Sequence, residues 1–339
     1  MQIIKRLLLS TLTITTLLVG STAFAKEVNV YSYRQPFLVQ PLFDKFTEAT
    51  GINVNVVFAK QGLSERLERE GRNSPADLIF TVDIGRLFEV TDKKLTQSVS
   101  LDSLNKNIPS QYRDPDGQWF GLTTRTRSIF ASKERVDLST IKNYEDMSKS
   151  EWKGRICTRS GKHPYNLALI ASMIAHNGLD NTTEWLKGVK TNLAQKPQGN
   201  DRSQVKAIKE GVCDISLGNN YYFGNMLMDE EQKQWADAVY ITFPNQDNRG
   251  THVNISGMAM AKYAPNKASA EKLMIFLSEK QAQEIYADQN FEYPVNPRVE
   301  PSKLVQSWGD FKADTLSLAE IAKLRKQAAQ LVDQVGFDD

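Results

Sequence analysis

Two adjacent tyrosines, Tyr221 and Tyr222, close the segment Gly218-Asn219-Asn220-Tyr221-Tyr222. They follow a short apolar run, Cys213 to Leu217, that reads as a strand. In α/β proteins, ligand groups gather where a strand end turns into a helix start. Two phenol oxygens side by side offer two hard, anionic ligands to a trivalent cation such as Fe(III). Each phenol must first lose its proton. From an ordinary pKa near 10, ionising one tyrosine at pH 7 costs about 4 kcal/mol. A highly charged ion nearby offsets that cost for several tyrosines at once. Phenol ligands also tie release to acidity, because protons compete for them. The plainer reading of a Tyr-Tyr pair is half-buried packing.

Other chemistries find less support. The sequence has no G-x-S-x-G elbow and no H-E-x-x-H pair. Its three histidines, His163, His176 and His252, and two cysteines make a poor set for zinc or copper. The carboxylates are scattered along helical stretches, as on solvated faces. This pattern argues against a hydrolase. Anion chemistry fits better. Ser160-Gly161 precedes a helix beginning near Tyr165, and helix N-termini and glycine nests offer backbone N–H groups to anions. Arg125 or Arg127 can add a bidentate contact; for either alone, the alternative is a surface charge. His252 lies within a strand-like stretch and reads as structural. His163 reads as a loop residue lining a cleft.

The N-terminus points to export. Lys5 and Arg6 precede an apolar run, Leu7 to Val19, and Ala23-Phe24-Ala25 has the A-x-A form of a secretory cleavage site. The run is shorter than the roughly 20 residues that span a bilayer. We expect residues 1–25 to be a signal peptide, cleavage after Ala25, a periplasmic location and no stable membrane insertion afterwards. Losing Lys5 and Arg6 takes the formal net charge from +2 to about zero, which leaves no electrostatic footprint for nucleic acid. In an oxidising compartment, two cysteines suggest one disulfide, Cys157 to Cys213; the alternative is two buried thiols. The 339 residues suffice for two domains, and 40% apolar and 24% charged content is that of a globular chain.

Several elements must position these groups. Val28 to Tyr33, Ile52 to Ala59 and Asp77 to Thr81 read as strands. Helices at Leu38 to Thr50, Leu63 to Glu70 and Ile84 to Lys93 alternate with them. That order predicts a parallel sheet with helices on both faces. Trp119 to Leu122 and Ser128 to Ser132 read as two extended segments, joined through Thr123 to Arg127, that carry the chain between lobes. A second unit follows: strand Arg155 to Thr158, helix Tyr165 to Asn177 stopped by Gly178, helices near Thr182 to Val189 and Asp201 to Glu210, and strand Cys213 to Leu217. Val239 to Phe243 and Thr251 to Met260 read as returning strands. Helices follow at Lys267 to Leu277, Glu279 to Asp288 and Leu316 to Val335. Tyr293 to Pro297 reads as extended.

Seven segments carry a resemblance. They are Val28-Asn29-Val30-Tyr31-Ser32-Tyr33-Arg34, Ser74-Pro75-Ala76-Asp77, Trp119-Phe120-Gly121 with Arg125 and Arg127, Cys157 to Tyr165, Gly218 to Tyr222, Gly250 to Gly257, and Tyr293 to Pro297. Together they resemble the periplasmic ferric-ion-binding proteins of bacterial iron ABC uptake systems. The resemblance implies an α/β, two-lobed periplasmic binding protein of type II-like form, with a hinge and an interlobe cleft. It places residues 26–124 with about 245–300 in one lobe, and about 125–244 with 301–339 in the other. It implies ferric ligation by Tyr165, Tyr221 and Tyr222. Where some members have a histidine, this chain has Gln35. That departure fits the subgroup with three tyrosines from one lobe and a synergistic carbonate or bicarbonate. Arg125, Ser160 and Gly161 would hold that anion, with Gln35 and Arg127 as further candidates. Tyr33 is the candidate extra ligand or supporting donor from the other lobe. The implied partner of the monomer is an inner-membrane ABC permease, and the implied action is capture without turnover. The competing reading is a binder of a small anion or polyamine with the same fold.

Overall fold

Val28 and Val30 are fully buried and Tyr31 is 1% exposed, so the first strand, β1 (Glu27–Ser32), is covered on both faces. It pairs in parallel with β2 (Asn53–Phe58) and with β3 (Leu78–Thr81). The computed structural model describes residues 26–339. The expected signal peptide, 1–25, lies outside the described residues. The other strands are β4 (Phe120–Ser132), β5 (Ile156–Cys157), β6 (Ile215–Asn219), β7 (Val239–Thr242), β8 (Val253–Met260) and β9 (Tyr293–Pro294). They assemble in the order β2-β1-β3-β8-β4-β6-β5, with β7 and β9 also paired to β4.

Strand β4 organises this sheet. All of its thirteen residues are buried. Residues Phe120 to Thr126 pair antiparallel with β8, and Arg127 to Ala131 pair antiparallel with β6. The expectation of two extended segments with a joint between them is therefore corrected: one strand runs through both units. The reason is local. Thr123, Thr124 and Thr126 are β-branched, at most 5% exposed, and in register with Ser256, Ile255 and Val253 of β8. The break is only a register shift between Gly121 and Thr123. β8 returns beside β4, from β6's unit to β3.

Helices cover both units. Pro36–Thr50 starts two residues before the sequence pattern suggests, because Pro36 suits the first helical turn. Pro164–Thr191 is interrupted at Gly178, the expected stop. The expected last helix is two, Leu318–Lys323 and Arg325–Val335. The shorter one packs on both Ile84–Asp92 and Pro164–Thr191, so the C-terminal segment touches both units. Cys157 and Cys213 form the expected disulfide, with Cα atoms 5.8 Å apart. It staples the end of β5 beside the start of β6. Among the described residues, no helix is long and apolar enough to cross a membrane.

Candidate metal centre

The tyrosine pair stands where β6 ends. The helix Asn220–Leu227 begins at once, so Tyr221 and Tyr222 occupy its first turn. Two neighbours hold this corner. A Cβ on Gly218 would lie 2.0 Å from the Phe130 ring, so only glycine lets β6 approach there. Asn220 accepts from the Thr126 N–H at 2.9 Å and donates to the Phe291 carbonyl at 3.0 Å. The second-unit helix is thereby tied to β4 and to the segment before β9.

Tyr165 arrives from the other side. Pro164 opens its helix, and His163 caps it by accepting from the Tyr165 N–H at 3.3 Å. The Tyr221 hydroxyl donates to the Tyr165 hydroxyl at 3.0 Å. The rings of Tyr221 and Tyr222 lie 4.3 Å apart. The structure thus brings the three sequence-predicted phenols together. Burial, then the neighbouring phenols Tyr165 and Tyr222, push the Tyr221 hydroxyl well above its ordinary pKa. Burial does the same to Tyr222, reinforced by Tyr165. Without a cation, both keep their protons at neutral pH. Burial, with Arg159 beside it, pushes His163 down to about 3, so the cap is a neutral imidazole.

Cations surround the phenols. The guanidinium carbons of Arg125, Arg127 and Arg159 stand 5.5, 5.9 and 5.4 Å from the Tyr165 ring centre. Two of the three are matched by Asp201. Arg127 meets it at 2.7 Å and Arg159 at 3.1 Å. Burial opposes the Asp201 charge, but Arg127 and then Arg159 outweigh burial and hold its carboxyl below the usual range. Arg127 also donates to Asn166 at 2.7 Å and Asn219 at 3.0 Å. Arg125 differs. It is 2% exposed, donates to Ser256 Oγ and the Val82 carbonyl, and has no carboxylate partner among the described residues. A small cavity between Arg125, Arg127, Tyr165, Asn219, His252 and Asn254 lies against it. Both ring nitrogens of His252 and the Asn254 Nδ2 are buried there without partners. Burial pushes His252 down to about 3.

Other expected residues are placed differently. Ser160 and Gly161 already serve an anion, and it is Asp338. Ser160 Oγ donates to one of its oxygens at 2.6 Å and the Gly161 N–H to the other at 2.7 Å. The Tyr33 hydroxyl accepts from the Ser64 N–H at 2.9 Å, and Arg86 covers the ring at 4.2 Å. None of its hydrogen bonds reaches the phenols. Gln35 is an exposed residue at the start of the helix Pro36–Thr50 and makes no capping bond. Sequence reasoning missed Asp201, Arg159 and Asn166, which brace the site. Asn200-Asp201 is a helix-start signal, but nothing local marks Asp201 as the counter-ion of two arginines. Among the described residues, no group of three or more His, Cys, Asp and Glu side chains could hold a metal ion. The phenols are the hard oxygens this site offers.

The chain has relatives among known proteins. The chain is 41% identical over 315 residues to iron uptake protein A1 of Synechocystis sp., covering 92% of this chain and 88% of that protein. The crystal structure of apo ferric ion-binding protein A from Pasteurella haemolytica superposes with a TM-score of 0.90 at 54% identity, covering 93% of this chain and 99% of that one. A Trichodesmium protein solved in complex with iron and citrate superposes with a TM-score of 0.88 at 40% identity, covering 92% and 99%. The fold is the two-lobed α/β fold of those binding proteins. Residues 73–310 match the family described as bacterial extracellular solute-binding protein, and the chain belongs to that family.

Proposed function

We propose that this protein captures ferric iron in the periplasm and delivers it to an inner-membrane ABC permease. The observation that carries this reading is the meeting of the Tyr165 and Tyr221 hydroxyls at 3.0 Å, with the Tyr222 ring tilted against that of Tyr221 at 4.3 Å between centres. Three phenols so placed give a trivalent cation three anionic oxygens once their protons leave. The raised pKa values of Tyr221 and Tyr222 make the site selective by charge. A weakly charged ion cannot offset the cost of ionising phenols whose pKa the site has raised. Similarity to an iron uptake protein and a ferric ion-binding protein supports the cargo.

Arg125 holds a small synergistic anion, carbonate or bicarbonate, in this reading. Among the described residues it is the guanidinium over Tyr165 without a carboxylate partner, while Arg127 and Arg159 share Asp201. A polyamine suits such surroundings poorly, because three arginines already crowd Tyr165. Residues 26–124 with about 245–300 form one lobe and about 125–244 with 301–339 the other; β4 and β8 cross between them. Hinge closure on the loaded site presents the form that the permease accepts. Tyr33 and Gln35 lie on the lobe that closes. The signal peptide sends the chain out, and it works as a monomer, by binding and release.

The test is direct. Ferric salt and bicarbonate are added to the purified exported protein. Phenolate-to-iron charge transfer should colour the solution. A colourless protein whose melting temperature iron leaves unmoved overturns the reading.

A further inference from the structure

Ser160 and Gly161 lie in the loop that delivers Tyr165, and their donors are engaged by the side chain of Asp338, 178 and 177 residues away in sequence. The contact is two-pointed and charge-assisted, the stronger class of hydrogen bond. Phe337, beside it, is 4% exposed. It packs so closely on Gly161 that a Cβ there would stand 2.8 Å from its ring and 3.0 Å from Val332. A third tie, Lys162 to Asp333 at 2.5 Å, joins two side chains that are each more than half exposed. Such exposed pairs contribute little, so the latch rests on Asp338 and Phe337.

What this contact holds is the approach to Tyr165. The Ser160 carbonyl accepts from the His163 N–H at 3.1 Å and from Asn166 Nδ2 at 3.1 Å. His163 caps the Tyr165 N–H, and Asn166 accepts from Arg127 at 2.7 Å. One residue therefore sets both flanks of Tyr165. Asp338 pins that residue by its hydroxyl and pins the next by its N–H.

We propose that Asp338 is a positioning residue for the metal site: its carboxylate latches the Ser160–Gly161 loop and so sets where the Tyr165 oxygen meets Tyr221 and Tyr222. The role rests on the ferric reading above. It also explains why an incoming anion would go to Arg125, since the chain's own carboxylate fills the loop. Outer partners that orient metal ligands are typically worth about 10–100-fold in affinity.

The test compares Asp338→Ala, Asp338→Glu and Asp339→Ala with the parent chain, each loaded with ferric salt and bicarbonate. In Asp338→Ala the charge-transfer band should shift, and a competing chelator should strip iron at least about tenfold faster. In the same variant without metal, the Gly161 amide should exchange faster with solvent. Asp338→Glu should restore the band in part, and Asp339→Ala should match the parent. Asp338→Ala with the parent's band and stripping rate overturns the latch, even if its melting temperature falls. A colourless parent overturns the ferric reading and this role with it. A coloured parent with an unchanged variant overturns the latch alone.

Discussion

The Tyr221 hydroxyl donates to the Tyr165 hydroxyl at 3.0 Å, joining two residues that are 56 apart in sequence. The bond holds a proton between two oxygens that a cation would claim. It keeps the phenols facing one another without a metal, so little rearrangement is needed on binding. A ferric ion must replace that shared proton with its own charge.

Removing either oxygen should therefore be felt at once. Tyr165→Phe, Tyr221→Phe and Tyr222→Phe each delete one proposed ligand oxygen and leave the ring packing. Each should weaken the charge-transfer band and lower iron affinity by at least about tenfold, an effect of more than 1.4 kcal/mol. The fold should survive, because all three residues are only partly buried. Absorption titrations with ferric salt, alongside melting curves, check this. Unchanged binding in all three variants would remove the assignment.

Acidity should govern release. Burial and neighbouring phenols raise the pKa of Tyr221, and burial raises that of Tyr222. A raised phenol pKa means that the proton is present in the metal-free protein throughout the neutral range. Each of these two phenols then gives up one proton on binding. Apparent affinity must rise with pH and fall toward acid, with a slope of log affinity against pH of at least about two. Competition titrations over several pH values read that slope. A flat profile would show that phenolates do not ligate.

Much of this was legible in the sequence, and the failures have physical causes. The alternation of Val28 to Thr81 gave the parallel unit because strand and helix periods differ in single short windows. The strand-to-helix corner before Tyr221 was legible for the same reason. The continuity of β4 was not, because β-branched threonines and arginines look like a polar joint until β8 is known to lie beside them. Donors at Ser160 and Gly161 were legible as an anion nest, but their occupant, Asp338, is brought in by tertiary packing alone. The role of Asp201 was hidden likewise. A fully buried carboxylate looks in sequence like any residue at a helix start.

The disulfide should matter for stability more than for binding. Cys157 and Cys213 are 56 apart in sequence, and closing such a loop is worth about 4 kcal/mol by the chain-entropy model. The bond links the end of β5 to the chain just before β6. Reduction, or Cys157→Ala with Cys213→Ala, should lower the denaturant midpoint and leave the charge-transfer band in place. Unfolding curves with and without reductant measure the shift. Loss of colour at denaturant-free conditions, with the fold intact, would show that the staple also shapes the metal site.

Arg125 and Arg127 are two residues apart on one strand and should fail in opposite ways. Arg127 pairs with the fully buried Asp201 at 2.7 Å. Arg127→Met takes away the shorter of the two ion pairs that Asp201 makes. Breaking a buried pair from one side costs about 3–5 kcal/mol, so this variant should unfold at markedly lower denaturant. The loss should ease as pH falls. Asp201 has a depressed folded pKa, so its ionised form stabilises the fold above the ordinary carboxylate range and loses that effect as pH drops through the folded value. Among the described residues, Arg125 has no carboxylate to strand. Arg125→Met removes an unmatched buried charge, and its stability should hold or rise. What it should lose is the anion: iron binding no longer strengthens when bicarbonate is added. Chemical denaturation of both variants at several pH values, with iron titrations in the presence and absence of bicarbonate, separates the roles. Bicarbonate dependence that persists in Arg125→Met and disappears in Arg127→Met would reverse the two assignments.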